Sequence, residues 1–199
     1  MPELVLPRPV LMLVTDRRLA GGEDALVEKM GEAIAGGVNV VQLREQDMSV
    51  GDLRALATRV IEVSGGRAVV IVNNATVAGA GVHLPENAPS LGAPFGRSVH
   101  SVNAARRAEA EGAAYVVFGP VHETASHPGE PGVGRETLAG VVAAVRIPVV
   151  AIGGVTAERV GGIMGAGAAG VAVISAIFGS PSPHEAAREI WRELERSPA

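Results

Sequence analysis

Short apolar runs alternate along the chain with longer segments in which apolar residues recur every three or four positions. Runs rich in Val, Ile and Leu are typical of buried strands, and the longer spacing is typical of amphipathic helices. The predicted strands are Leu11–Thr15, Val38–Leu43, Ala68–Val72, Gly81–Leu84, Arg97–His100, Tyr115–Gly119, Pro148–Ile152 and Gly170–Ile174. The predicted helices are Glu23–Ala35, Val50–Val63, Val102–Glu111, Arg135–Val145, Thr156–Ala166 and Pro183–Arg196.

This order of elements predicts an α/β protein with parallel strands inside and helices outside. Eight strands in repeating β-α order favour a single (β/α)8 TIM barrel, with an open doubly wound sheet as the alternative. No shift in composition marks a second domain, so residues 1–199 are predicted to form one barrel domain.

Composition reduces the number of protein classes to which the chain could belong. Apolar residues make up 47% of the chain and charged residues 19%, but no uninterrupted apolar run is long enough to predict a membrane span. A net charge of -4 and an aromatic content of 3% argue against a nucleic-acid partner. The absence of cysteine and of a signal-peptide pattern fits a cytoplasmic protein. The sequence leaves open whether the protein forms a homo-oligomer.

Two glycine- or serine-terminated apolar runs, 149–154 and 170–175, predict a phosphate site. They correspond to the last two strands of the barrel, and the loops after those strands commonly bind phosphate in this fold. Glycine lets backbone N–H groups come close to phosphate oxygens. We therefore expect a small phosphorylated ligand held by Gly153, Gly154, Ile174 and Ser175.

Further candidate ligand-binding residues lie near the ends of other strands. Gln42 and Arg44 are two positions apart, so both side chains share one face, and the Arg44 guanidinium suits a carboxylate or a phosphate. A salt bridge from Arg44 to Asp16 or Glu45 is the alternative. Ser98 and Asn73 are further candidates for binding the ligand, whereas His83 and His100 read more readily as core histidines.

The irregular segment 122–134 predicts a lid over the barrel mouth. His122 opens this segment and is the candidate catalytic acid–base group, with a solvent-exposed histidine as the alternative. Gly132 and Gly134 could contribute to phosphate binding from the lid. Because carboxylates are few at the strand ends and no zinc-type spacing occurs, neither a metal nor another cofactor is expected.

Seven short motifs, in the same order as in the family, resemble the thiamin phosphate synthase-like family over most of the chain. The motifs are Leu-Val-Thr-Asp (13–16), Val-Gln-Leu-Arg-Glu (41–45), Gly-Val-His-Leu (81–84), Ser-Val-His-Ser (98–101), Phe-Gly-Pro-Val (118–121), Val-Ala-Ile-Gly-Gly (150–154) and Gly-Val-Ala-Val-Ile-Ser (170–175). The resemblance implies a (β/α)8 barrel. Its synthase members join a pyrimidine diphosphate to a thiazole phosphate using magnesium.

The chain departs from the synthase pattern at positions that carry charge. The family's Asn-Asp pair is Asn73-Asn74 here, and its second magnesium aspartate falls where this chain has residues 85–88. Two lysines of the family are replaced by Gln46 and His127. Amides hold a divalent cation less well than carboxylates, so these changes argue against synthase activity.

The segments 96–101, 118–119 and 123–124 look more like the TenI-type branch of the family. That resemblance implies a thiazole tautomerase, which aromatises a carboxythiazole ethyl phosphate by a metal-independent 1,3-proton shift. His122 would move the proton, although the branch's histidine can fall at the position of Pro120. The alternatives are a thiamin phosphate synthase with an altered metal site and a non-catalytic regulatory barrel that binds thiazole or thiamin phosphate.

Overall fold

The structure is a computed structural model that describes residues 4–90, 94–124, 129 and 131–197. Its strands are β1 Val10–Val14, β2 Val40–Leu43, β3 Val69–Asn73, β4 Gly81–Leu84, β5 Phe95–Val99, β6 Ala113–Phe118, β7 Val149–Ile152 and β8 Gly170–Val173. Its helices are α1 Arg17–Ala20, α2 Glu23–Ala35, α3 Val50–Ser64, α4 Val102–Ala110, α5 Gly134–Ala144, α6 Ala157–Met164, α7 Ser175–Phe178 and α8 Pro183–Arg196.

The strands form a closed parallel barrel in which each strand pairs with its neighbours in sequence and β1 pairs with β8. This confirms the predicted TIM barrel and excludes the open doubly wound sheet. The closing seam brings Val10 of β1 beside Gly170 of β8. A Cβ at Gly170 would overlap backbone atoms of Val10, so only glycine permits this approach of the two strands.

Alternating side chains of the strands build two separate cores. One set points into the barrel and includes Val10, Met12 and Tyr115. The other set, with Leu11 and Phe118 among its members, packs against the surrounding helices. Large apolar side chains fill the barrel interior, so ligand-binding groups have room only at the carboxyl ends of the strands.

The repeating β-α order holds for only part of the barrel. Residues 74–80, between β3 and β4, contain no helix, and the described residues between β4 and β5 contain none either. Two short helices, α1 and α7, were not predicted because a single turn is too short to show a helical period. Among the residues described, no helix is long and apolar enough to cross a membrane.

Candidate functional site

A cavity of about 800 Å³ opens at the carboxyl ends of the strands. Its wall includes residues at or just beyond the ends of β1, β2, β5, β6, β7 and β8. Among the residues predicted to bind ligand, those that line it are Gln42, Arg44, Ser98, Gly153, Gly154, Ile174 and Ser175. The candidates that do not line it are Asn73, His122, Gly132 and Gly134.

The loop after β7 turns sharply through two glycines of positive φ, 106° at Gly153 and 59° at Gly154. A Cβ at Gly154 would lie 2.8 Å from the Cβ of His122 and would overlap the Glu123 carbonyl oxygen. The glycines are therefore required by the neighbouring loop after β6, in addition to any closeness to a ligand. Within the described part of the chain, neither backbone N–H group has a hydrogen-bond partner.

The loop after β8 leads directly into α7, whose N-cap residue Ile174 provides no side-chain cap. The first N–H groups of a helix lack partners inside the helix and favour an anion. Ser175 and Ala176 begin this helix and line the cavity beside Gly153 and Gly154. Backbone donors from two loops thus meet on one wall, which is the arrangement expected of a phosphate site.

Arg44 brings a positive charge to another part of the same cavity. Its guanidinium forms no ion pair with any described residue, while its backbone N–H donates to Thr15 Oγ1 at 2.9 Å. The alternative salt bridges do not form, because the Glu45 carboxylate pairs with Arg17 at 3.2 Å and Asp16 accepts hydrogen bonds from backbone N–H groups of α1. Gln42, two residues before Arg44, is 3% exposed.

The rim beside β1 and β2 carries an ion-pair network that the sequence did not reveal. Arg17 Nη2 and Arg18 Nη2 donate to Asp47 Oδ2 at 2.9 and 2.6 Å. The hydrogen bonds from Arg17 and then Arg18 hold the pKa of the Asp47 carboxyl far below its usual value. Since Asp47 and Glu45 are already paired with these arginines, their charges do not neutralise Arg44.

Inside the barrel, three polar side chains from adjacent strands form one hydrogen-bonded chain. His83 Nδ1 lies 3.0 Å from the Tyr115 hydroxyl, and His83 Nε2 lies 2.9 Å from Ser98 Oγ. His83 is fully buried, as interpreted from the sequence. His100 is not a core residue: its side chain is 64% exposed and pairs with Glu86.

His122 and the lid glycines pack beside the cavity, behind the loop after β7. The His122 N–H donates to the Gly153 carbonyl at 3.2 Å, and burial followed by the charge of Arg159 lowers the pKa of the His122 imidazole. A Cβ at Gly132 would overlap the His122 backbone, and the Gly134 N–H donates to the Val121 carbonyl at 3.0 Å. In this arrangement these residues pack against the loop that contains Gly153 and Gly154 and do not line the cavity themselves.

The ends of β3 and β4 do not offer a set of ligands that fits magnesium. Asn73 and Asn74 supply neutral amides, and the backbone N–H of Asn74 donates to the His83 carbonyl at 2.8 Å. The nearby Glu86 carboxylate already accepts the His100 N–H at 2.9 Å and contacts its Nδ1 at 2.8 Å. The described residues contain no group of three His, Asp or Glu side chains able to hold a metal ion. His127 lies outside the described residues.

Comparison with known proteins finds similarity over nearly the whole chain. The family model described as thiamine monophosphate synthase matches residues 11–177. A putative thiamine-phosphate synthase of Geobacter sulfurreducens is 42% identical, covering 90% of this chain and 92% of the relative. The thiamine-phosphate synthase of Methanoculleus marisnigri is 40% identical with the same coverage. The structure of thiamine phosphate pyrophosphorylase from Pyrococcus furiosus is 29% identical, with a TM-score of 0.84, covering 96% of this chain and 97% of that one.

These relatives overturn the prediction of a thiazole tautomerase. Relatives that match 90–91% of this chain carry the name of a thiamine-phosphate synthase, which was the alternative interpretation. At this level of identity, the neutral side chains of Asn73, Asn74 and Gln46 are no argument against the synthase interpretation. The resemblance to the family as a whole is confirmed, whereas the finer assignment to the TenI-type branch is not supported.

Proposed function

Because this chain belongs to the thiamine monophosphate synthase family, we propose that it is a transferase that joins a pyrimidine diphosphate to a thiazole phosphate. The observation that carries the proposal is the sequence identity of 40–42% to relatives named as synthases, over at least nine-tenths of both chains. We expect the enzyme to act in the cytoplasm on these two small molecules.

The cavity supports this proposal because it offers anion-binding groups of two kinds. Both substrates carry phosphate groups, and a transfer between them requires that both occupy one space. The backbone N–H groups of Gly153, Gly154 and Ser175 suit one phosphate. The guanidinium of Arg44, which forms no ion pair with a described residue, suits the other.

The positive charge of Arg44 also suits the negative charge that develops during the reaction. The bond from the pyrimidine carbon to the diphosphate oxygen breaks as the bond to the thiazole forms, so negative charge grows on the departing diphosphate. A fixed positive charge or a fixed hydrogen-bond donor beside that oxygen stabilises the transition state more than the substrate. We assign this role to Arg44, with Gln42 orienting the substrate beside it.

The test is to supply the purified protein with both substrates and measure thiamin phosphate and inorganic diphosphate, with magnesium added and with a chelator. We expect one diphosphate released for each thiamin phosphate formed. Arg44→Ala should lower kcat/KM by about 100-fold, as is typical when one transition-state donor is removed. Arg54→Ala is the matched control, because Arg54 is an exposed arginine of α3 that does not line the cavity.

Absence of product from the wild-type protein, with both substrates bound, would contradict the transferase. Equal activity of Arg44→Ala and Arg54→Ala would keep the reaction but remove Arg44 from it.

A further inference from the structure

In the hydrogen-bonded chain inside the barrel, the surroundings of each group determine which group donates and which accepts. It begins at the Tyr115 hydroxyl in β6, passes through the imidazole of His83 in β4 and ends at Ser98 Oγ in β5. Tyr115 and His83 are both 0% exposed, whereas Ser98 is half-buried and lines the cavity. The chain therefore connects a sealed interior to the ligand site.

The Tyr115 hydroxyl reaches His83 only because β5 carries glycine at position 96. Gly96 pairs with Tyr115 across the sheet, and a Cβ at Gly96 would overlap the tyrosine ring and its hydroxyl. The ring thus lies across the backbone of β5 and directs its hydroxyl to the neighbouring strand. Its position leaves His83 Nδ1 as the one hydrogen-bond partner of the hydroxyl among the described residues.

The protonation states then follow. Burial raises the pKa of the Tyr115 hydroxyl, so the hydroxyl keeps its proton and has to donate it. Burial, followed by the charges of Arg97 and Arg44, lowers the pKa of His83 to about 3, so the imidazole is neutral and carries one N–H. Since Nδ1 accepts from Tyr115, the N–H is at Nε2.

The tautomer decides what Ser98 can do. With its N–H at Nε2, His83 donates to Ser98 Oγ, and no described residue accepts the serine's own proton. In the opposite tautomer the Nδ1–H would donate to the tyrosine oxygen, and the buried Tyr115 O–H would then have no acceptor among the described residues, which is costly. It would also make Ser98 donate to His83, leaving only acceptor lone pairs in the cavity.

We propose that Tyr115 fixes the Nε2–H tautomer of His83 and thereby makes Ser98 a hydrogen-bond donor to an anionic phosphate or diphosphate oxygen in the cavity. Ser98 is the binding residue, and His83 and Tyr115 are positioning residues that act through it. The proposal deepens the transferase function and rests on it for the identity of the anion.

The direct test is nitrogen NMR of the wild-type protein labelled with ¹⁵N-histidine. Two-bond proton–nitrogen correlations distinguish a protonated from an unprotonated ring nitrogen, and the His83 signals are identified by their loss in His83→Gln. We expect a proton on Nε2 and none on Nδ1 at neutral pH. A proton on Nδ1 would overturn the proposal, and this result does not depend on any enzymatic activity.

The binding test uses inorganic diphosphate and calorimetry. Ser98→Ala should weaken binding by about 10-fold or more, because it removes a hydrogen bond to a charged group. Tyr115→Phe removes the hydroxyl that fixes the tautomer and should weaken binding by a smaller factor. In the Ser98→Ala background, Tyr115→Phe should have no further effect on affinity, whereas a merely structural role for Tyr115 would weaken binding in both backgrounds.

Unchanged affinity in Ser98→Ala, or no diphosphate binding by the wild type, would overturn the role of Ser98. If instead the tautomer and the binding results hold while no thiamin phosphate forms, the transferase proposal fails and the donor role of Ser98 stands.

Discussion

Two sides of the barrel mouth offer hydrogen-bond donors that are made in different ways. After β7 and β8 the donors are backbone N–H groups at Gly153, Gly154 and Ser175, and each depends on the local course of its own loop. At β5 the donor is the side chain of Ser98, whose direction depends on His83 and Tyr115 in two other strands.

The difference lies in what can disturb each side. Backbone N–H groups do not titrate and are displaced only when the loop moves. A side-chain donor set by a buried imidazole depends on the protonation of that imidazole and on the space around it. We call the side formed by Ser98, His83 and Tyr115 the β4–β6 side, and the side formed by the loops after β7 and β8 the β7–β8 side. Changes in pH and substitutions in the barrel interior should therefore affect the β4–β6 side. Changes in loop packing should affect the β7–β8 side.

The largest expected effect is that of acid on the β4–β6 side. In the unfolded chain His83 takes up a proton near its ordinary pKa of 6.5, whereas burial, Arg97 and Arg44 lower its pKa in the folded protein to about 3. Between those values the unfolded state binds the extra proton, so stability falls as pH falls. The expected loss from this group is about 1.4 kcal/mol per pH unit, or on the order of 3 kcal/mol by pH 4.

Urea unfolding measured from pH 7 to pH 4 checks this expectation. His83→Gln should lose that part of the pH dependence whatever its stability at pH 7. His184→Gln, a change at the surface of α8, should retain it. The same slope in His83→Gln and in wild type would contradict a buried neutral His83.

The contrast between the two sides also explains how far the sequence could predict the site. The β7–β8 side was predictable because glycines and apolar runs adjacent in sequence produce it. Gln42 and Arg44 were predictable as a pair because alternate residues of a strand share a face. The barrel itself followed from the order of apolar runs, apart from the helix-free connections around β4.

The β4–β6 side was not predictable in the same way. Tyr115 is 32 residues from His83 in sequence, and their contact depends on the space left by Gly96. No local pattern carries that information. The free guanidinium of Arg44 was equally hidden, because it depends on Arg17 and Arg18 pairing with the acidic residues of the rim.

The second prediction tests the interior by filling the space at Gly96. A methyl group there would overlap the Tyr115 ring, which is enclosed on all sides, so Gly96→Ala should lower the free energy of unfolding by about 3 kcal/mol. Gly140→Ala is the matched control in α5, where a Cβ would meet no atom within 4 Å. That change should be neutral or stabilise the protein by up to about 1 kcal/mol. Equal stability of the two variants would show that Tyr115 can move aside.

The smallest predicted effect concerns the loop after β7. Gly154→Ala should displace the loop, because its Cβ would overlap the Glu123 carbonyl oxygen and lie 2.8 Å from the Cβ of His122. We expect thiazole phosphate to bind about 10-fold more weakly, which corresponds to the loss of about 1.4 kcal/mol of binding free energy.

Gly66→Ala controls for backbone strain alone, because Gly66 has a similar positive φ (75°) and a Cβ there would meet no atom within 4 Å. It should cost stability without changing affinity, because residue 66 precedes β3 at the opposite end of the barrel. If both variants bind thiazole phosphate as tightly as wild type, the phosphate is not held by this loop, and the two sides of the mouth do not differ as described.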